Sequence, residues 1–596
     1  MPKAFLSSLI QKIWTVLLLL IFATLSGCAI RLDVLETLSS KTKLAPDEGI
    51  LVVRVINATD YPLPLNHISI APENLHESEK IKVQQLASLR LNIEDTSVFA
   101  SPVQSGNYAL SSVGAFHSRG DLIWSHFASA NAKFGTFNVE PGKVTDLGTI
   151  IYYQKPQEDT YSQMLVRMPK HQTGEVLRKY FPFYQFEYDS VLTWHDDGLD
   201  EQRETDFLSI AQNPIVFENA YRAPDGSLYF LGKLGVFLIR NSYGDWFMDA
   251  VDTNFNLNTI AQNKVGDLIV GGEEGKLFLK RRGGDWQDIS LAHDVQIVEL
   301  LFHDEKHVDL ITKSGPLVTI NRGNINQTIE WQEMNRFTAH AGWKVIEQTE
   351  EERLDAIQEA EKNNKKPPRE IASVSLTKSN IEQYITVRSM TNIRNRYFDN
   401  GRVERFAYDP DSWKIFEPNS DSEVSMTLQA GKIELGVTEV NFWSWTPAFA
   451  RYDRSNNSWQ KLRKMLRVCE NGKSTLKLNC PAKVEGLPTK KARINRFEFL
   501  SVPVFTSETD AIAVVNFSKV NAWNGKRTDD IKILKTTDGG KGWLDTGNST
   551  PTEFCFTLVR EVFDRLLVYC NGATGDFYES FDEGKTWEHV RQQLNF

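Results

Sequence analysis

The chain is poor in the residues that would announce chemistry. It has 596 residues but only five Cys and 11 His. No two Cys stand in a C-x-x-C pair, so a zinc ribbon is excluded. No H-E-x-x-H, EF-hand loop or Walker A segment occurs, which leaves no metal or cofactor motif. His76, His171, His195 and His293 are scattered and read as surface or core residues. Positive charge is also short: Lys plus Arg is 67 against 77 Asp plus Glu, for a net charge of −10. That balance argues against a nucleic-acid binder. Beyond residue 27 no apolar run is long enough to span a membrane. What is plentiful is aromatic: 34 Phe, 17 Tyr and 14 Trp, beside 36 Gly. With 41% hydrophobic and 24% charged residues, this describes a folded body that leans towards β structure. By length alone about four domains are expected; one closed all-β toroid of about 400 residues plus a smaller domain fits equally well.

The first 27 residues read as a secretory signal: Lys3 and Lys12, then the apolar stretch Ile13 to Leu25, then small residues. Leu25-Ser26-Gly27-Cys28 resembles a bacterial lipobox. The resemblance implies lipidation of Cys28 as the first mature residue. Ala29 after it looks like the outer-membrane sorting choice of two-membrane bacteria. An expected location follows: lipid-anchored at the outer membrane, facing the periplasm or the surface. An oxidising compartment permits disulfides, and the other Cys form two local pairs, Cys469 with Cys480 and Cys555 with Cys570. Four buried free thiols are the alternative.

Residues 28–48 read as a polar tether. Residues 49–155 carry short apolar or alternating runs, such as Ile50 to Ile56, Gly106 to Leu110 and Gly148 to Tyr153. Turn residues punctuate them, including Glu140-Pro141-Gly142-Lys143. This is the pattern of a small β-sandwich. Residues 156–175 read as a linker.

Residues 176–596 show a Trp period. Trp194, Trp246, Trp286, Trp331, Trp413, Trp459, Trp543 and Trp587 are separated by 52, 40, 45, 82, 46, 84 and 44 residues. Trp343, Trp443, Trp445 and Trp523 lie off this spacing. A repeat of 40–50 residues ending in a Trp strand points to propeller blades. The first wide gap holds a charged helical insertion, Glu350 to Lys362, with Leu354 and Ile357 on one side. It is too short to account for the whole excess, so a blade without its Trp is expected there. Within units the order is strand, Gly turn, strand, Gly turn, Trp strand, as in Gly266 to Val270, Gly275 to Leu279 and Gly284-Asp285-Trp286.

Two C-terminal units carry a sharper motif. Thr536, Asp538, Gly540 and Trp543, and Ser580, Asp582, Gly584, Thr586 and Trp587, fit S/T-x-D-x-G-x-x-W. This resembles the Asp-box, or BNR repeat, of propellers similar to sialidases and photosystem assembly factors. The resemblance implies a structural Asp, bonded to turn amides, and a Trp packed inward. Tyr408 to Trp413 and Tyr452-Asp453 with Trp459 are more similar to kelch-type turns, without the Gly-Gly pair.

A sialidase-like activity would need an Arg-Ile-Pro segment, yet Arg493-Ile494 is followed by Asn495. A retaining glycosidase needs two carboxyls about 5 Å apart. Asp196-Asp197 and Asp200-Glu201 are read instead as a solvent-facing turn cluster. One charged feature stands out on the acidic body: Lys461, Arg463, Lys464 and Arg467, then Lys490, Lys491, Arg493 and Arg496. It is a candidate patch for an envelope protein or complex, with an anionic polysaccharide as a further candidate.

The expected fold is therefore all-β: a small N-terminal β-sandwich, then a seven-bladed, alternatively eight-bladed, β-propeller with a short helical insertion. The expected function is non-catalytic protein binding or scaffolding in a bacterial envelope, without cofactor, metal or nucleic acid. Carbohydrate binding or glycoside hydrolysis on a sialidase-like propeller is the alternative.

Overall fold

The computed structural model describes the chain between Asp33 and Val590, apart from 74–82, 89–94, 157–160, 169–176, 186–189, 213–216, 339–358, 364–368, 392–401, 416–425, 439–447, 463–468, 475–496, 521–526, 571–575 and shorter gaps. The described chain is mostly strand, with one α-helix of any length, Asp200–Gln212.

Two sheets form the N-terminal unit. One has six strands within 33–139; the other has four, Tyr161–Arg167, Val144–Pro156, Glu48–Asn57 and Thr96–Gln104 in spatial order. Leu51, Val53, Val55, Phe99 and Tyr152 of the second sheet share a core with Ile68, Ile70, Leu110 and Val113 of the first. The strand Glu48–Asn57 is apolar from Ile50 to Ile56 except for Arg54, because both of its faces are covered. Its alternate residues Ile50 and Val52 pack on Leu177, Tyr180 and Phe181 instead. It pairs in parallel with Val144–Pro156, a contact no hairpin could make.

The boundary between the units lies later than the sequence implies. The segment read as a linker contains the strand Tyr161–Arg167, paired to Val144–Pro156. Trp194 does not begin a ring unit. It bridges Phe137, and its indole N–H donates to the Leu147 carbonyl at 2.9 Å inside the N-terminal core. The Arg167 guanidinium lies 4.2 Å from its ring. The 52-residue gap was thus a coincidence of spacing rather than a repeat. Asp196, Asp197 and Glu201 face solvent as expected, and the Gly198 and Leu199 amides donate to Asp196 and Asp197 in the turn. Asp200 and Glu201 open the helix, and Asp197 and Asp200 bind the buried Arg203, at 2.5 and 3.2 Å.

From Phe217 onward the described residues form seven larger sheets, spanning 217–250, 257–288, 296–338, 369–407, 426–461, 498–545 and 557–589, and two two-stranded ribbons within 469–474 and 519–528. Each larger sheet is an antiparallel meander in chain order; the fourth is described with three strands, and the sixth carries a side strand. Each packs on the next. Phe237 shares a core with Phe278, Ile269 with Ile297, Ile320 with Ile385, Phe449 with Phe499, and Val514 with Val568. The strand Met426–Ala430 lies beside Arg369–Lys378 and Gln383–Thr391. Phe577 and Leu567 of the last sheet then pack on Phe230, Leu238 and Trp246 of the first. The sheets therefore close on themselves, the arrangement of a β-propeller.

The seven sheets match seven Trp. Trp246, Trp286, Trp331, Trp459, Trp543 and Trp587 begin, immediately precede or lie in the outermost strand of their sheets, and Trp413 follows the last described strand of the fourth. Among the described residues the first wide gap holds no sheet beyond the fourth, and the second holds two two-stranded ribbons besides the sixth. The stretch where a blade without its Trp is expected, 339–368, lies almost wholly outside the described residues. The helical insertion Glu350 to Lys362 lies almost wholly outside the described residues. At its edge the Asn363 N–H donates to the Glu359 carbonyl at 3.0 Å.

The sequence shows no sign of one repeated device. The innermost strands of the first four sheets each carry a register shift near their start, at Glu218/Ala220, Leu257/Thr259, Ile297/Glu299 and Ile371/Ser373. Such bulges increase local twist.

Candidate functional site

A meander sends its first and third turns out of one edge, and its second turn and the link to the next sheet out of the other. The ring therefore has an odd-turn face and an even-turn face. The motif residues lie on the odd-turn face.

In the seventh sheet, the Asp582 carboxylate accepts from Ser580 Oγ, Lys585 N, Thr586 N and Thr586 Oγ1, at 2.7–3.0 Å. Donation by the Thr586 and Lys585 amides and by the hydroxyls holds its pKa down at about 2. Ser580 Oγ in turn accepts from Gly584 N at 2.7 Å. Gly584 has φ +86, and a Cβ there would sit 2.4 Å from Ile533 Cδ1. In the sixth sheet Thr536 donates to Asp538 at 2.8 Å, and Gly540 and Gly542 amides donate to Thr536 and Asp538 at 3.1 Å. Trp543 is fully buried, with its ring edge on Phe499 at 5.4 Å. Trp587 packs against the core of Ile533 and Leu566, less deeply than Trp543 in its own core. It is only half-buried, because its indole N–H reaches out to the Ser549 carbonyl at 3.0 Å.

The same device serves the other units with different residues. Asp409 accepts from Ser412 N and Oγ at 2.8 and 3.0 Å, and Asp453 from Ser455 N and Oγ at 3.0 and 2.6 Å. Asn241 and Asn263 replace the carboxylate with a carboxamide, accepting from the Asp245 and Asp267 amides at 2.9 and 2.8 Å. These side chains stand in for backbone turn partners.

A cleft of roughly 970 Å³ opens between the outer parts of the second and third sheets. Trp331, Ile289, Leu291 and Ile329 supply apolar walls, and Arg336 and Glu333 pair along one side, within the strand Gln332–Thr338. The outermost strand of the second sheet, Trp286–Asp288, has three residues against seven in Gln332–Thr338, which leaves the rim unfilled. Among the described residues Glu333 is the one carboxylate lining the cleft.

The odd-turn face also exposes aromatics. Tyr243 is 92% exposed in the third turn of the first sheet, and Phe581 61% exposed in that of the adjoining seventh. Arg565 lies 5.2 Å over the Phe581 ring. Beneath them the first and last sheets are tied by Arg240 and Glu579, 2.6 Å apart and both buried. Burial pushes the Glu579 carboxyl up, against the pull of Arg240 and Arg565.

The remaining sequence candidates divide as follows. The Cys555 and Cys570 sulfurs stand at bonding distance, 2.00 Å. Cys28 and Cys480 lie outside the described residues, and Cys469 begins a two-residue strand paired to Lys473–Ser474. Lys461 is exposed at the end of the outermost strand of the fifth sheet. Arg463, Lys464, Arg467, Lys490, Lys491, Arg493 and Arg496 lie outside the described residues. Among the described residues no group of three or more His, Cys, Asp or Glu could hold a metal ion. Sequence reasoning missed Arg240 and Glu579, which are single charges in ordinary strands with no local signal.

No protein-family model and no curated protein matches the chain. Solved structures similar to it are β-propellers. YCF48 from Cyanidioschyzon merolae is 15% identical with TM-score 0.37, over 61% of this chain and 95% of that one. A second structure, YCF48 bound to D1 peptide, is 12% identical with TM-score 0.33, over 61% and 94%. The β-propeller domain of the Trilobed protease from Pyrococcus furiosus is 8% identical with TM-score 0.33, over 63% and 97%.

Proposed function

We propose that the chain is a non-catalytic, protein-binding lipoprotein of a bacterial envelope. In this reading it is a seven-bladed β-propeller with an N-terminal β-sandwich, held at the outer membrane by lipid on Cys28. The lipobox residues Leu25 to Cys28 support the anchor, and seven sheets with seven Trp support the blade number. The motif turns of the sixth and seventh sheets act as Asp-boxes. Their carboxylates are taken up by their own turns, which makes them structural and leaves none poised as a general acid.

One observation carries the binding function: the odd-turn face of a closed ring presents Tyr243 and Phe581 to solvent on adjacent sheets. Large exposed aromatics are typical anchors of protein interfaces. The basic run 461–496 adds a charged candidate surface. Crosslinked isolation of the mature chain at native expression tests the proposal. An envelope protein recovered with it, and lost on Tyr243→Ser with Phe581→Ser, is the expected result. Recovery of no protein partner rejects it; recovery of polysaccharide alone moves the function to carbohydrate binding. Intact mass of the mature chain tests lipid on Cys28.

A further inference from the structure

A dense polar contact between distant parts of the chain is neither a turn nor the cleft. It lies on the even-turn face, where the N-terminal unit meets the first two ring sheets. Glu273, in the second turn of the second sheet, is 1% exposed. Its carboxylate accepts from the Asp95 and Thr96 amides at 2.7 and 3.3 Å and from Thr96 Oγ1 at 2.6 Å. Lys233, in the second turn of the first sheet, pairs with Asp95. Asn256, in the link between the two sheets, donates to Asp95 Oδ2 at 3.0 Å and to the Asn57 carbonyl at 3.3 Å. Arg54 lies 4.7 Å over Phe255 and 3.8 Å from Glu274. Around these polar groups Leu234 packs with Ile56, Ala58, Ile151 and the helix residue Phe207.

We infer that this cluster, centred on Glu273, is a latch that locks the N-terminal unit and the ring into one rigid body. Three features argue for it. The contact draws on both ring sheets and on the link between them, so neither sheet can tilt away alone. Two residues of the latch turns hold left-handed backbone, Leu234 at φ 61 and Glu274 at φ 53, which surrounding contacts must maintain. Finally, a buried carboxylate with three donors is strongly committed, since separation would strand its partners. The consequence is directional. The N-terminal unit covers the even-turn face at the first two sheets, so Tyr243, in the third turn of the first sheet, points away from it. Whatever holds the N-terminus then fixes where the odd-turn face points.

Calorimetry and small-angle scattering on the full mature chain test the latch. The wild-type chain should unfold in one transition and scatter as one compact body. Glu273→Ala should split the transition in two and increase the radius of gyration at low temperature. Trp587→Ala, remote from the contact, should lower the transition without splitting it. A single transition and unchanged scattering in Glu273→Ala overturns the inference, as do two independent transitions in the wild type. Should Glu273→Ala not fold, Asn256→Ala and Lys233→Met decide by the same two readouts.

Discussion

The N-terminal unit and the ring solve the same burial problem in opposite ways. The first builds its cores from distant segments on both faces of one sheet, with residues 50–57 lying parallel to 144–152. The second divides its apolar area among sheet-to-sheet cores, each formed from neighbouring stretches of chain. The difference teaches where each part is vulnerable. A core residue in the N-terminal unit is tied to everything around it. A ring sheet depends on its two neighbours, and the ring as a whole depends on the join between its last sheet and its first.

The largest expected effect tests that join. Arg240→Ala leaves Glu579 buried without its nearest cation, at a cost of about 3–5 kcal/mol. Arg240→Met with Glu579→Leu should recover most of it, and denaturant titration of the three variants measures this. If Arg240→Ala costs no more than an ordinary surface change, the join is not the weak point.

Next come two tryptophans in equivalent turns. Trp543→Ala should cost about 3–5 kcal/mol, and Trp587→Ala clearly less because that ring is half-buried. Equal losses in chemical unfolding would mean that burial does not set their contributions.

Acid should separate the two regions. Burial lowers His67, in the N-terminal core, from 6.5 to about 4. The unfolded chain therefore binds the extra proton between these values. Stability from His67 is whole above about pH 6.5 and falls as pH drops to about 4, by up to roughly 3 kcal/mol. Asp582 in the ring is depressed to about 2. Its contribution is present above the unfolded carboxylate value of about 4 and is lost as pH falls through about 2. In Glu273→Ala, where the two regions should melt apart, the transition of the N-terminal unit should shift first as pH falls from 7 to 4. His67→Phe should suppress that shift. If both transitions move together, the titrating groups do not divide between the regions as placed here.

The smallest effect concerns the seventh sheet. Reducing Cys555–Cys570, 15 residues apart, should cost at most about 3 kcal/mol. In Glu273→Ala, where the regions should melt apart, it should lower the ring transition and leave the N-terminal one in place, as calorimetry with and without reductant would show.

What was legible in the sequence was local. A turn such as Ser580 to Trp587 makes its hydrogen bonds within a few residues, so residue types at fixed spacing reveal it. The Trp period was legible because each ring sheet repeats one strand order. Trp194 misled for the same reason: spacing alone cannot say which core a ring enters. The turns built on Asn241 and Asn263 do the work of an Asp and escaped a motif written around carboxylates.

The sequence by itself determined an all-β chain, its strand-and-turn repeat and the motif turns, because these depend on contacts within one meander. Only the tertiary structure decided how the ring closes and which of its faces is covered. Arg240 meets Glu579, and Glu273 meets Asp95 across 178 residues. Charges so far apart carry no common signal along the chain, and only packing of the sheets brings them together.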